Sequence, residues 1–378
     1  MMKKLLQFLR QETVLSVAFV LALISSFIVH PDSAWLAYPD YRTLALLFCL
    51  MIIVAGLQHL GVFALLGQTL IKKAHSLRML YAIMILLCFF SSMIITNDVS
   101  LITFVPFTIL VFRMVEREDR VLKLIVLETI AANLGSMATP IGNPQNLYLY
   151  SISEMPFRDF AWAVWPYTAL ALIMLILSIR SVREAPLAHR LTSDEPRAEI
   201  APTQNLRRAM LPFLALLALC LLVVFRVLPY GPVLLIVVAV IFVVDRSLFR
   251  QVDYSLLATF LCFFVFIGNV GRIPAVSTLL VTLMNGRELG LGILTSQVIS
   301  NVPAAILLSG FTSDLTTLCT AVNLGGLGTL IASLASLISF KFFSKNYPQQ
   351  KAAFLCVFTL WNLGFLIILT FLAMLLGA

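Results

Sequence analysis

Apolar runs separated by short polar turns repeat along almost the whole chain. A helix needs roughly 20 apolar residues to cross a bilayer core. On that measure the runs predict spans at about 13–30, 43–66, 122–150, 161–179, 209–228, 231–245, 254–272, 316–342 and 352–376. Two further apolar segments, 79–112 and 288–311, are interrupted at mid-length by polar residues. Divided at that interruption, the first gives arms of about 25 Å and the second arms of about 18 Å. A core about 30 Å thick is not comfortably crossed twice by either pair. Both therefore read as re-entrant hairpins that enter and leave on one side; for the first, two short full spans give the same flanking sides.

Charge tests this layout. With the N-terminus in the cytoplasm and sides alternating, 21 of the 26 Lys and Arg residues fall in inner segments. The outer five are Arg42, Arg158, Arg226, Arg272 and Arg287. This is the bias of the positive-inside rule. It makes 180–208, with Pro186, Pro196 and Pro202, a cytoplasmic linker. It also puts the C-terminus on the periplasmic side. "MMKKLLQFLRQE" precedes the first run and no convincing small-residue cleavage motif follows it, so the run reads as a helix that stays.

The halves on either side of the linker, 1–179 and 209–378, resemble each other. "NLGSMATPIGNPQN" (133–146) aligns without gaps on "NLGGLGTLIASLAS" (323–336), matching Asn133/Asn323, Leu134/Leu324, Gly135/Gly325, Thr139/Thr329 and Ile141/Ile331. The hairpin centres pair as well, "TND" (96–98) with "SNV" (300–302). By the charge count the first hairpin opens inward and the second outward, so the repeats are inverted. The fold expected is an all-α polytopic membrane protein of two inverted repeats, about 9–10 spans plus two hairpins. Each repeat has a re-entrant hairpin and a broken helix, 122–150 in the first and 316–342 in the second. Repeat one shows two spans before its hairpin and repeat two shows three, so either a helix is missing or 209–228 is a connector.

Composition agrees: 61% hydrophobic and 12% charged residues, with mean hydropathy +1.00. Ordinary soluble chains carry about 25% charged residues. The net charge of +8 sits in short loops and signals orientation rather than nucleic-acid binding. Cys49, Cys88, Cys220, Cys262, Cys319 and Cys356 lie in apolar runs without C-x-x-C spacing, so buried thiols are expected and neither disulfide nor metal site. No H-E-x-x-H, G-x-S-x-G or G-x-x-x-x-G-K-[ST] occurs. No enzyme, cofactor or ATP-driven pump is expected.

Inverted repeats with interrupted helices at matching positions point to a secondary transporter. Free backbone groups at membrane depth are tolerated only where protein or a water-lined cavity covers them. The expected site joins Thr96, Asn97, Asp98, Asn133, Thr139, Gly142, Asn143 and Asn146 to Ser300, Asn301, Asn323, Gly325 and Thr329. Asp98 stands between two apolar arms, where a carboxylate costs about 2.5–3.5 kcal/mol on insertion scales. It is the first candidate to carry a coupling ion. Glu128, near the cytoplasmic end of its span, is the second unless it snorkels or pairs with Lys123. Asn269 and Asn362 read as interhelical glue, and His59 as packed.

The 133–146 stretch resembles the N-[IL]-G-G-x-x-T-x-I-G-[DN]-P-x-N signature of the ion-transporter superfamily. That group holds arsenite permeases, NhaD-type antiporters, P-protein relatives and citrate/dicarboxylate carriers. "TND" resembles the arsenite-permease tip. "SQVISNVPAAILLSGF" with "AVNLGGLG" resembles the YbiR-type bacterial inner-membrane proteins. The resemblance covers nearly the whole chain and implies a central site and a homodimer. The function expected is proton- or sodium-coupled transport of a small anion or oxyacid across the inner membrane. The alternative is a sodium/proton antiporter with no such substrate. The partners are that solute, the coupling ion and the lipid bilayer. No Lys or Arg lies at the paired breaks, so a neutral oxyacid is easier to hold beside Asp98 than an anion.

Overall fold

The computed structural model describes residues 12–71, 74–182, 184 and 206–377. Lys3, Lys4, Arg10, Lys72, Lys73, most of the 180–208 linker and Ala378 lie outside them. Every regular element described is helical. The first half runs α1 (Thr13–Ile28), α2 (Tyr41–His59), α3 (Val62–Ile71), α4 (Leu77–Ile95), α5 (Asn97–Met114), α6 (Val121–Ser136), α7 (Pro144–Ser153) and α8 (Phe157–Arg180). Then come α9 (Leu206–Val224), α10 (Tyr230–Val244), α11 (Tyr254–Gly271), α12 (Pro274–Met284), α13 (Glu288–Ile299), α14 (Asn301–Ser309), α15 (Leu315–Gly325), α16 (Leu334–Asn346) and α17 (Lys351–Leu376). Six stretches among the described residues are long and apolar enough to cross a membrane by themselves: Tyr41–His59, Leu77–Ile95, Asn97–Met114, Phe157–Arg180, Tyr254–Gly271 and Pro348–Leu376. The chain is an all-α polytopic membrane protein.

Local chemistry sets the boundaries. Asp40, Ser76, Asp253 and Asp314 cap α2, α4, α11 and α15 by accepting from backbone N–H groups of the first turn. Pro144 opens α7 behind the cap of Asn143, where a missing N–H costs nothing. The expected span 43–66 is not one helix. It ends at Leu60, and Gly61 turns the chain with φ +71° before α3 begins. The short α12 was also not foreseen, because 11 residues leave too brief an apolar pattern.

With α3 and α12 included, α1 through α8 match α10 through α17 in order and type. The unmatched helix is α9, which favours the connector reading of 209–228. The packing is interchanged as well. Helix α7 lies on α14 while α16 lies on α5, and α6 meets α17 while α15 meets α8.

The arms of the first hairpin are longer than the sequence suggests. Helices α4 and α5 have 19 and 18 residues, about 28 and 27 Å at 1.5 Å per residue. The turn between them nevertheless meets the gap between α6 and α7, since Asn97 N–H donates to the Gly142 carbonyl at 3.2 Å. The 10-residue α7 continues beyond that point. The second hairpin is short, with 12 and 9 residues.

Arginines on the sparsely charged face serve as caps. Arg42 donates to the Val223 carbonyl at 2.7 Å. Arg226 donates to the carbonyls of Tyr150 in the last turn of α7 and of Glu154 and Met155 just beyond it. Arg272 pairs with Asp32 at 2.8 Å, and this hydrogen bond holds the Asp32 carboxyl below the ordinary range. The thiols are less uniform than expected: Cys356 is exposed and Cys262 half-buried.

Helices α4 and α6 approach closely at Gly135, where an added Cβ would lie 2.1 Å from the Phe89 carbonyl oxygen. At Gly325 it would lie 2.6 Å from Ser296 Oγ. Gly135→Ala should destabilise the protein by about 1–3 kcal/mol, the usual cost of overpacking. Gly364→Ala, with nothing within 4 Å, should be tolerated. Thermal unfolding of detergent-purified variants checks this; equal midpoints for Gly135→Ala and Gly364→Ala would refute the close approach.

Candidate functional site

The two hairpin turns share one unusual backbone. Thr96 has φ 70°, ψ 155° and Ser300 has φ 74°, ψ 156°. A positive φ is uncommon outside glycine and is retained only where surroundings fix it. The asparagine that follows each turn folds back identically. Asn97 Oδ1 accepts from Asp98 N–H at 3.0 Å, and Asn301 Oδ1 from Val302 N–H at 3.0 Å. Each turn is also tied to the break of its own half by a threonine. Thr139 Oγ1 donates to the Met93 carbonyl at 2.5 Å, and Thr329 Oγ1 to the Gln297 carbonyl at 3.2 Å.

The breaks then interlock across the halves. Asn133 Oδ1 accepts from Asn97 Nδ2 (3.0 Å) and from Ser333 Oγ (3.1 Å). Its own Nδ2 donates to Ser336 Oγ at 3.3 Å. In mirror fashion, Asn323 Oδ1 accepts from Asn143 Nδ2 (3.1 Å), and its Nδ2 donates to Asn146 Oδ1 (2.6 Å). Asn146 Nδ2 in turn donates to the freed carbonyls of Met137 and Thr139, at 3.0 and 3.1 Å. All five asparagines are buried. A buried amide without partners costs about 1–3 kcal/mol, so this network fixes how the two breaks meet.

A cavity of ≈ 420 Å³ reaches the first break. Thr96, Asp98, Val99, Ile141, Asn143 and Pro144 line it, and His59, Gln251 and Asp253 stand at its exposed end. The cavity thus opens toward the exposed segment that carries Arg246 and Arg250. Asp98 is half-buried and its backbone N–H is taken by Asn97. Its carboxylate faces the cavity with no hydrogen-bond partner among the described residues. No Lys or Arg among them lines the cavity.

Of the residues the sequence singles out, Thr96, Asp98 and Asn143 border the cavity. Gly142 supports it through its carbonyl, and Asn97, Asn133, Asn146 and Asn323 spend their amides on the interlock. Ser300, Asn301, Gly325 and Thr329 gather at the second turn and break. Glu128 neither snorkels nor pairs with Lys123. It is fully buried in α6, accepting from the Thr108 hydroxyl, with Oε2 unpartnered. Lys123 donates to Ser181 Oγ instead and lies over the Trp361 ring. Asn269 does join helices, donating to Ser25 Oγ at 3.0 Å. Asn362 bonds only within its own helix, to the Phe358 carbonyl. His59 is exposed rather than packed. Gln297, Ser333, Ser336 and Asp253 were not foreseen. The signal for Gln297 was available, as the one amide in an apolar arm.

A family model described as "Citrate transporter" matches residues 2–316. The chain is 31% identical over 322 residues to the inner membrane protein YbiR of Escherichia coli (strain K12), covering 84% of each chain. It is 30% identical over 308 residues to an uncharacterized transporter of Methanocaldococcus jannaschii, covering 81% of this chain and 82% of that one. A silicon efflux transporter of Oryza sativa subsp. japonica is 30% identical over 139 residues, 37% of this chain and 28% of that one.

The interlock predicts coupling between residues far apart in sequence. Asn143→Ala and Asn323→Ala should each cost about 1–3 kcal/mol. Together they should cost less than the sum, by about 0.5–3 kcal/mol. Unfolding in micelles measures the cycle, and strict additivity would deny that the two amides meet.

Proposed function

The chain belongs to the citrate-transporter family, and from that premise we propose that it is a proton- or sodium-coupled secondary transporter of a small oxyacid, carried in its neutral form. The observation that carries this reading is the cavity. It presents Asp98 at depth and Asp253 at the mouth, with no described Lys or Arg on its wall. Two like charges 4 Å apart repel by about 4 kcal/mol at an effective dielectric of 20. An anionic solute meeting an ionised Asp98 here would have no cationic side chain to offset that. A proton or sodium ion on Asp98 removes the conflict, and a neutral hydroxylated acid can bond to Asn143, Thr96 and the carboxyl itself. The relative named for silicon efflux supports a neutral oxyacid more than the citrate in the family's title does.

The halves 1–179 and 209–378 act in this reading as inverted repeats around the interlocked breaks. Asp98 loads its ion from one side and releases it on the other as the hairpins shift against the rest. Glu128 lies away from the cavity wall and is the reserve candidate. The same two carboxylates suit a second reading, sodium/proton exchange with no oxyacid. Exchange in vesicles without added oxyacid separates the two.

Asp98→Asn keeps the shape and hydrogen-bonding capacity but removes the charge. It should reduce gradient-driven accumulation at least tenfold in proteoliposomes while the protein remains folded. Unchanged accumulation with the same dependence on the pH or sodium gradient would make Asp98 structural. For orientation, a reporter active only in the cytoplasm should work when inserted at Thr192 and fail when fused after Ala378. Activity at both positions would break the inverted arrangement.

A further inference from the structure

The two turns share their backbone and their asparagines, and two of their differences change the chemistry on offer. Where the first has Met93 and Asp98, the second has Gln297 and Val302. The difference at Gln297 is structural. Its Nε2 lies 2.8 Å from the Gly325 carbonyl, 2.9 Å from the Leu327 carbonyl and 3.3 Å from the Ile293 carbonyl. Three acceptors surround one nitrogen that has two hydrogens to give. The Gly325 and Leu327 carbonyls lie at and just past the C-terminal end of α15, where the helix dipole adds negative partial charge, and the Ile293 carbonyl belongs to α13, one turn before Gln297. Freed carbonyls at such an end are the kind of group that holds a cation in interrupted membrane helices. The other end of the carboxamide is fixed as well, because Oε1 accepts from Thr329 N–H at 2.8 Å. Gly328 makes room for it: φ is +102°, and an added Cβ would lie 2.4 Å from Gln297 Oε1.

We infer that the carboxamide of Gln297 is a resident occupant of the second break, standing where a cation would otherwise sit, so that ion coupling runs through the first half alone. The first break is built differently. Its carbonyls at Met137 and Thr139 are met by Asn146 from α7, the thioether of Met93 offers no donor, and the cavity brings solvent to Asp98. In the second half Val302 replaces the carboxylate and Gln297 fills the carbonyl cluster. This rests on the coupled-transporter reading and adds to it an asymmetry: one ion-loading half and one sealed half.

Hydrogen exchange of the purified full chain, with sodium chloride or choline chloride at equal ionic strength, tests it. In the wild type, exchange in 326–331 should be the same in both salts. In Gln297→Met, which places the first half's residue in the second, exchange there should rise at least tenfold in choline and fall at least threefold when sodium replaces it. Sodium protection of 326–331 in the wild type would overturn the inference. So would a Gln297→Met variant whose exchange does not rise, or rises without responding to sodium. If Gln297→Met does not fold, the wild-type comparison still decides whether the second break takes a cation. An uptake experiment in which Asp98→Asn behaves as wild type would sink Asp98 as the coupling group and leave the exchange result standing.

Discussion

A peptide group freed at membrane depth must find a partner, and everything central in this protein follows from how that demand is met. Each half interrupts a helix, leaving N–H and carbonyl groups where water is scarce. Neither half supplies all the partners its own break requires. Asn133 is completed by Ser333 and Ser336, and Asn323 by Asn143 and Asn146. The breaks are therefore stable only against each other. This dependence ties together the breaks that meet two hairpins whose turns have nearly equal φ and ψ.

On that shared frame two differences bear on the chemistry of the breaks. A carboxylate at the first turn faces a cavity; a valine at the second is buried. A glutamine in the second hairpin meets the carbonyls of its break; in the first half Asn146 meets them and a methionine stands at the glutamine's place. Divergence of this kind leaves the packing unchanged, because Met and Gln are alike in length. It alters which break meets solvent. A transporter needs such a difference between a framework that stays intact and a point that loads and unloads.

The interruptions were legible because polar and helix-breaking residues stand out in apolar runs: Thr96–Asp98, Pro140, Pro144 and Gly325–Gly328 are visible without coordinates. So was the pairing of Asn133 with Asn323 as equivalent positions. Their bonding partners were not legible. Ser333 and Ser336 sit among Leu and Ala, and a small hydroxyl on a membrane helix ordinarily bonds its own backbone. Helix α12 escaped notice because 11 residues carry too little pattern, and the turn at Gly61 because only Gln58 and His59 mark it within a long apolar run. For Glu128 the sequence left two readings open for a different reason. Sequence gives its distance from the helix end but not that Thr108, twenty residues away, covers it.

Two breaks built alike thus present unlike faces, one to a cavity and one to protein. Cysteine accessibility at one position beside each turn tests this. In a cysteine-free background, Val99→Cys and Val302→Cys are exposed to a membrane-impermeant thiol reagent in right-side-out and inside-out vesicles. Val99 lines the cavity and Val302 is 6% exposed. The account predicts that Cys at 99 reacts in inside-out vesicles and that Cys at 302 reacts at least tenfold more slowly from that side. Equal reaction at both positions, or none at 99, would contradict it.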